Sequence, residues 1–220
     1  MTTSTDHRSL LTLLTWLSPV LPTGAFAYSH GLEWAVEAGD ISDGGSLLNW
    51  LTDVLTLGAG RSDTILLRHA HRAAGDLALL REIVALAAAS APTRERRDEA
   101  LNQGRAFQLA VAPWLSIALP EDAPYAVAVG AMAAARGVAE DDTAVAYGQA
   151  FATNLISAAV RLVPLGQTAG LRVLAALEPV ILATAAAAAD ATLDDIGGCA
   201  FRSDLAAMRH ETQYTRLFRS

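Results

Sequence analysis

Apolar residues recur at helical spacing along nearly the whole chain, while sustained two-residue alternation of β-branched or aromatic residues is almost absent. A chain patterned this way has little to build a sheet from and must bury its apolar faces helix on helix. Leu10, Leu13, Leu14 and Leu17 form one apolar stripe, and Leu47, Leu48, Leu51, Val54 and Leu55 form a second, entered through Ser42 and Asp43 as caps. Ile65, Leu66 and Leu67 belong to a third helix running to about Ala74, where Gly75 ends it. Asp76 opens a helix over 77–89 that closes before Pro92. Thr93 caps a long segment with Glu95, Asp98 and Glu99 in its early turns, and that segment must stop or kink at Pro113. Further helices are expected over 123–136, 141–163, 167–177, 180–191 and 203–211. Connections are short, no Pro/Ser/Gly-rich linker divides the chain and no internal repeat is visible. The expectation is an all-α, single compact bundle of about nine or ten helices over 1–220, with a flexible N-terminus and a distinct tail at about 213–220.

The hydrophobic fraction of 52% and mean hydropathy of +0.30 would suit a membrane protein. Much of that figure is alanine, the best helix former and a residue that buries little surface, which favours closely packed helices instead. No membrane span is expected: 173–189 carries Glu178 and Pro179, 106–119 holds Pro113, and 124–135 falls far below the roughly 20 residues a crossing needs. The first ten residues place Asp6 before Arg8 and lack a basic signal-peptide region. The single cysteine, Cys199, cannot form an internal disulfide and fits a reducing, cytoplasmic home. A net charge of −7 opposes nucleic-acid binding. Every basic residue is arginine, so phosphate-loop, Schiff-base and kinase-type lysine chemistries are all excluded.

Residue chemistry supports no catalytic and no metal site. His69 and His71 lie two apart, about 200° around a helix, so their rings diverge and read as solvated helix residues. Cys199 and His210 are too distant in sequence to suggest a chelate, and His30 beside Ser29 lacks any nucleophile motif. Asp141-Asp142 and Asp194-Asp195 stand where helices begin and read as caps and as complements to the helix dipole, and Gly197-Gly198 reads as a turn. Two stretches are unlike ordinary helix surface. In 18–33, two prolines and two glycines shape a fixed connection carrying Phe26 and Tyr28, expected to plug the core, with partner contact as the alternative. In the tail, Tyr214, Arg216, Leu217, Phe218 and Arg219 are side chains of the kind that dominate interfaces, and they either pack on the chain's own body or order against a partner.

Three separated segments resemble the urease accessory protein UreF family. The pattern S-P-x-L-P-x-G-x-F-x-Y-S-x-G-L-E is matched by Ser18, Pro19, Leu21, Pro22, Gly24, Phe26, Tyr28, Ser29, Gly31, Leu32 and Glu33. P-L-G-Q is matched at 164–167, and the Y-[ST]-R-L-F-R-S ending at 214–220. Ala25, His30 and Leu171 depart from the residues common in that family at their positions. The resemblance implies an all-helical, dimeric, non-enzymatic assembly factor for urease. Such a protein bridges UreD (also called UreH) to the GTPase UreG on the way to apo-urease and controls GTPase-coupled nickel delivery without tightly binding a cofactor. It also implies that the tail meets UreD, so that removing it is expected to leave the helical body folded. The competing readings are a small-molecule-binding helical enzyme and a nickel-binding chaperone acting alone.

Overall fold

The computed structural model describes residues 6–115 and 117–220, and the flexible N-terminus expected from the sequence lies at 1–5, outside them. Within the described residues the chain forms ten α-helices and two single-turn 3-10 helices, with no strand. The helices are α1 (His7–Trp16), α2 (Leu32–Glu37), α3 (Gly44–Thr56), α4 (Ala59–Arg72) and α5 (Leu77–Ala89). They continue as α6 (Arg94–Val111), α7 (Tyr125–Ala135), α8 (Glu140–Leu162), α9 (Gly166–Ala187) and α10 (Phe201–His210).

Local chemistry sets most of these boundaries. Asp43 and Ser46 form a reciprocal capping box at the start of α3. The Asp76 carboxylate accepts from the Ala78 and Leu79 amides, and the Thr93 hydroxyl from Arg96 N, so orphan donors at the starts of α5 and α6 are satisfied. Helix α6 stops at Val111, two residues before Pro113.

The centre of the molecule is α7, which is buried without interruption from Ala126 to Met132 and on to Ala133. Its small side chains let neighbours come close. A Cβ on Gly130 would sit 2.1 Å from the Leu67 carbonyl oxygen, so only glycine admits the contact between α7 and α4. Trp16, Leu67, Leu80, Ile83 and Phe107 close the core around this helix. A second core joins α2, α3, α8 and α9 through Leu32, Leu47, Leu51, Leu155 and Leu177, and Phe151 packs against both.

The largest departure from the sequence reading is α9, one continuous helix where two were expected. Pro179 lies inside it, and both Pro179 and Ala175 face outward. The carbonyl that proline leaves unpaired therefore faces solvent, and Val173, Leu177 and Ile181 keep the inner face packed. Because Pro179 does not break it, α9 is the one described helix long and apolar enough to cross a membrane by length and composition. It carries Arg172 and Glu178 and lies against α3 and α8. The stripe on α1 is also turned differently. Leu13 is buried, but Leu10 and Leu14 are exposed.

Candidate functional site

The segments at the two ends of the chain are brought together at one place. Gly31 makes this possible: a Cβ there would lie 2.5 Å from the Ala207 amide, so α2 and α10 cross at backbone contact. Beside this crossing the buried Glu33 carboxylate accepts from the Leu217 amide at 2.7 Å and the Phe218 amide at 3.0 Å. The Ser29 amide and hydroxyl donate to the Ser220 carbonyl at 2.8 and 2.6 Å, and Arg219 N donates to Ala27 O at 2.8 Å. Farther back, Gln213 reaches Glu37, and Arg216 pairs with Glu95. His210, fully buried, presents its two ring nitrogens to Glu95 at 2.7 Å and Glu33 at 3.3 Å.

Beneath the tail lies a second carboxylate hub. Glu99 accepts from the Ser220 hydroxyl at 2.6 Å, from Gln103 at 2.9 Å, from the His30 ring at 2.7 Å and from Arg96. Burial alone would raise the Glu99 carboxyl, but Arg96, then His30 and Ser220, more than offset it and hold it at about 2. Burial, reinforced by Arg96, lowers the His30 ring below its ordinary value in spite of Glu99. The neutral ring then donates from Nε2 to Glu99, which leaves Nδ1 a lone-pair acceptor, and that buried atom has no partner.

Of the predicted contact residues, the tail therefore divides. Phe218 is only 4% exposed and lies under the Arg161 guanidinium, 4.3 Å from its ring centroid. Tyr214, Arg216, Leu217 and Arg219 are exposed. The expectation that this terminus contributes little to folding is corrected: the tail packs on the chain's own body through Phe218 and Ser220. Phe26 and Tyr28 divide likewise. Tyr28 is buried as expected, but Phe26 is 74% exposed and does not plug the core; it is held by its backbone, whose carbonyl accepts from Arg161 at 2.7 Å. The Arg161 guanidinium thus joins the 18–33 segment to the tail, and in sequence it stands three residues before the 164–167 segment.

An open groove of about 1000 Å³ adjoins the clamp, between α1, the 18–26 connection, α4, α6, α8 and α9. On its surface the Tyr147 hydroxyl donates to Asp63 at 2.8 Å. Burial pushes the Asp63 carboxyl up to about 6, against the pull of Arg96 and the Tyr147 hydrogen bond.

Elsewhere the candidate chemistries resolve into structure. His69 and His71 are half-buried and partnered, not simply solvated: their Nε2 atoms each lie 2.9 Å from a carbonyl, of Ala191 and Val138 respectively, and so tie α4 to two separate loops. Asp195 closes a capping box with Thr192, whereas Asp141 and Asp142 lie in the first turn of α8, where they complement the helix dipole without capping it, and Asp141 also pairs with Arg68 at 2.8 Å. Among the described residues no group of three or more His, Cys, Asp or Glu is placed to hold a metal ion. Sequence reasoning missed Glu33, Glu99 and His210 as the clamp's anchors. Glu33 and His210 stand beside small or apolar buried residues of α2 and α10, and Glu99 lies on a buried face with Arg96, Gln103 and Phe107, but none of these patterns specifies a partner far along the chain.

A family model described as UreF matches residues 41–178. A protein named urease accessory protein UreF from Bradyrhizobium sp. strain BTAi1 is 54% identical, over 99% of this chain and 95% of its own length. The protein of the same name from Xanthobacter autotrophicus is 54% identical, over 96% of this chain and 91% of its own. That from Mesorhizobium japonicum is 48% identical over the full length of both.

Proposed function

The chain belongs to the UreF family of urease accessory proteins, and from that premise we propose that it is a non-catalytic assembly factor for the urease nickel centre. It bridges UreD (UreH) to the GTPase UreG, as a cytoplasmic homodimer, on the way to apo-urease. Nickel is cargo in this reading: the chain itself binds no nickel tightly, and nucleotide chemistry belongs to UreG. The missing lysine and the diverging histidines are consistent with both statements.

The observation that carries the reading is the form of the tail. Tyr214 and Leu217 stand fully or largely exposed on a segment whose backbone is fixed at Gln213, Phe218 and Ser220. An exposed aromatic and an exposed leucine on pre-ordered backbone are suited to a partner, because little further entropy is lost on binding. Arg216 and Arg219 flank them, and Phe26 offers a second exposed ring. Phe218 and Tyr28 act beneath this surface by holding it in place.

The test is copurification of the intact chain with UreD and UreG. Tyr214→Ala and Leu217→Ala should each weaken UreD capture by about 1–3 kcal/mol while leaving the melting temperature unchanged. Undiminished capture by the double variant would refute the assignment of the tail. GTP hydrolysis by the isolated chain, or a submicromolar nickel site in calorimetry, would refute the division of labour.

A further inference from the structure

We propose that His30 makes the seating of the tail acid-sensitive: the turn that carries it opens as the ring takes up a second proton, and the tail is released while the helical body stays folded. His30 and Gly31 are the two central residues of a tight turn in which the Ser29 carbonyl accepts from the Leu32 amide at 3.1 Å. Both are left-handed, at φ 58° and 77°, and among the described residues His30 is the one non-glycine with positive φ. This turn aims both Ser29 donors at the Ser220 carbonyl, so its geometry and the seat of the tail are one structure. A left-handed histidine persists only where its surroundings hold it. Here they are the edge-on ring of Phe151, 5.0 Å between centroids, and the hydrogen bond from Nε2 to Glu99.

Those surroundings suit a ring with one proton and not with two. Nδ1 is buried without a partner, so a proton there would be a donor with no acceptor. Glu99 attracts a charged ring, but burial first and Arg96 second outweigh it and hold His30 below its ordinary 6.5. An opened turn hands the ring to water, where the second proton is taken up near the ordinary value, and lets residue 30 leave the left-handed region. Proton uptake is thereby linked to opening. The seated tail is fully favoured above about 6.5 and loses ground as the pH falls from there toward the lowered value of the ring. The charged and titratable groups around His30 are Arg96 and Glu99 from α6, with Asp63 from α4, Tyr147 from α8 and Asp204 from α10 on the same cavity wall. Asp63 works in the opposite direction over this range, because its carboxyl, raised to about 6, takes its proton more readily in the folded chain.

The test follows the intact chain by NMR between about pH 7 and pH 5, a range that brackets the ordinary imidazole value. It reads amide hydrogen-exchange protection, corrected for intrinsic exchange rates, beside the ring shifts of His30. Protection at Ser29, Leu217, Phe218 and Arg219, whose amides make the clamp bonds, should fall at least about threefold, while amides at the centre of α7 keep theirs. His30→Gln, which can still donate to Glu99 but does not titrate, should abolish the fall. Asp63→Asn should leave it in place. An equal fall in His30→Gln, an unchanged tail in the wild type, or equal loss across α7, which would be acid unfolding of the whole chain, overturns the proposal. Should His30→Gln not fold, the wild type decides alone. The loss at the tail must then track the titration of the His30 ring, and a ring that titrates while the tail stays protected overturns the proposal equally. None of these readouts uses UreD or UreG, so their failure is separate from failure of the bridging role.

Discussion

The tail clamp and the groove lie side by side and share His30 and Glu99, yet they are built on opposite terms. In the clamp, polar groups from residues far apart in the chain meet one another: two buried carboxylates collect amides, a hydroxyl, two imidazoles and a guanidinium. In the groove, apolar side chains stand open and an imidazole nitrogen and most of a carboxylate's lone pairs go unused. A satisfied polar network rigidifies a fold, whereas an unsatisfied polar and apolar surface stores binding capacity at some cost in stability. Substitutions in the clamp should therefore register in melting, and substitutions in the groove in association.

The largest effect should come from Glu99→Ala. It leaves Arg96 buried without its partner and removes the acceptor of His30 and Ser220, at about 3–5 kcal/mol in a denaturant titration. Deleting 213–220 should be milder, about 2–3 kcal/mol, because Glu33 gains water as it loses the tail and what is lost is chiefly Phe218 burial. On a chain this size that corresponds to a fall in melting temperature of roughly 5–10 °C. Phe218→Ala alone should account for about 2 kcal/mol of it. If Phe218→Ala melts like wild type, the clamp is not structural and the contrast collapses.

Acid should separate the two regions further. Glu99 has its carboxyl held below the ordinary value, so its contribution is fully present above about 4.5 and is lost only as the pH falls toward 2. Asp63 has its carboxyl raised, so the folded chain prefers it protonated. Its contribution is present below about 3.8 and is lost as the pH rises through about 6. Asp63→Asn should accordingly stabilise the unbound chain at neutral pH by about 1 kcal/mol, an advantage that disappears in melts below pH 4. Leu14→Ser, the smallest change, should stay within about 0.5 kcal/mol of wild type.

How far each region was legible in the sequence follows the range of the interactions that make it. Asp43, Asp76 and Thr93 cap helices through bonds two or three residues away, and their helices begin where local chemistry places them. Pro179 misled because its cost depends on which side of α9 it faces, a tertiary fact. The stripe of Leu10, Leu13, Leu14 and Leu17 identified an apolar face correctly but not whether anything covers it. The clamp was hardest to foresee, since Glu33 and Phe218 meet across 185 residues of chain and each alone is an ordinary member of its segment.

The burial of α7 has a thermodynamic corollary. Ala126, Ala128, Ala131 and Ala133 enter the centre of the molecule with no side-chain rotamers to give up. At those four positions ordering costs backbone freedom alone, where leucines would lose about 0.5–1 kcal/mol more at each. The centre gains cohesion from short interhelical distances in place of bulky side chains, and it has little spare volume into which a larger residue could relax.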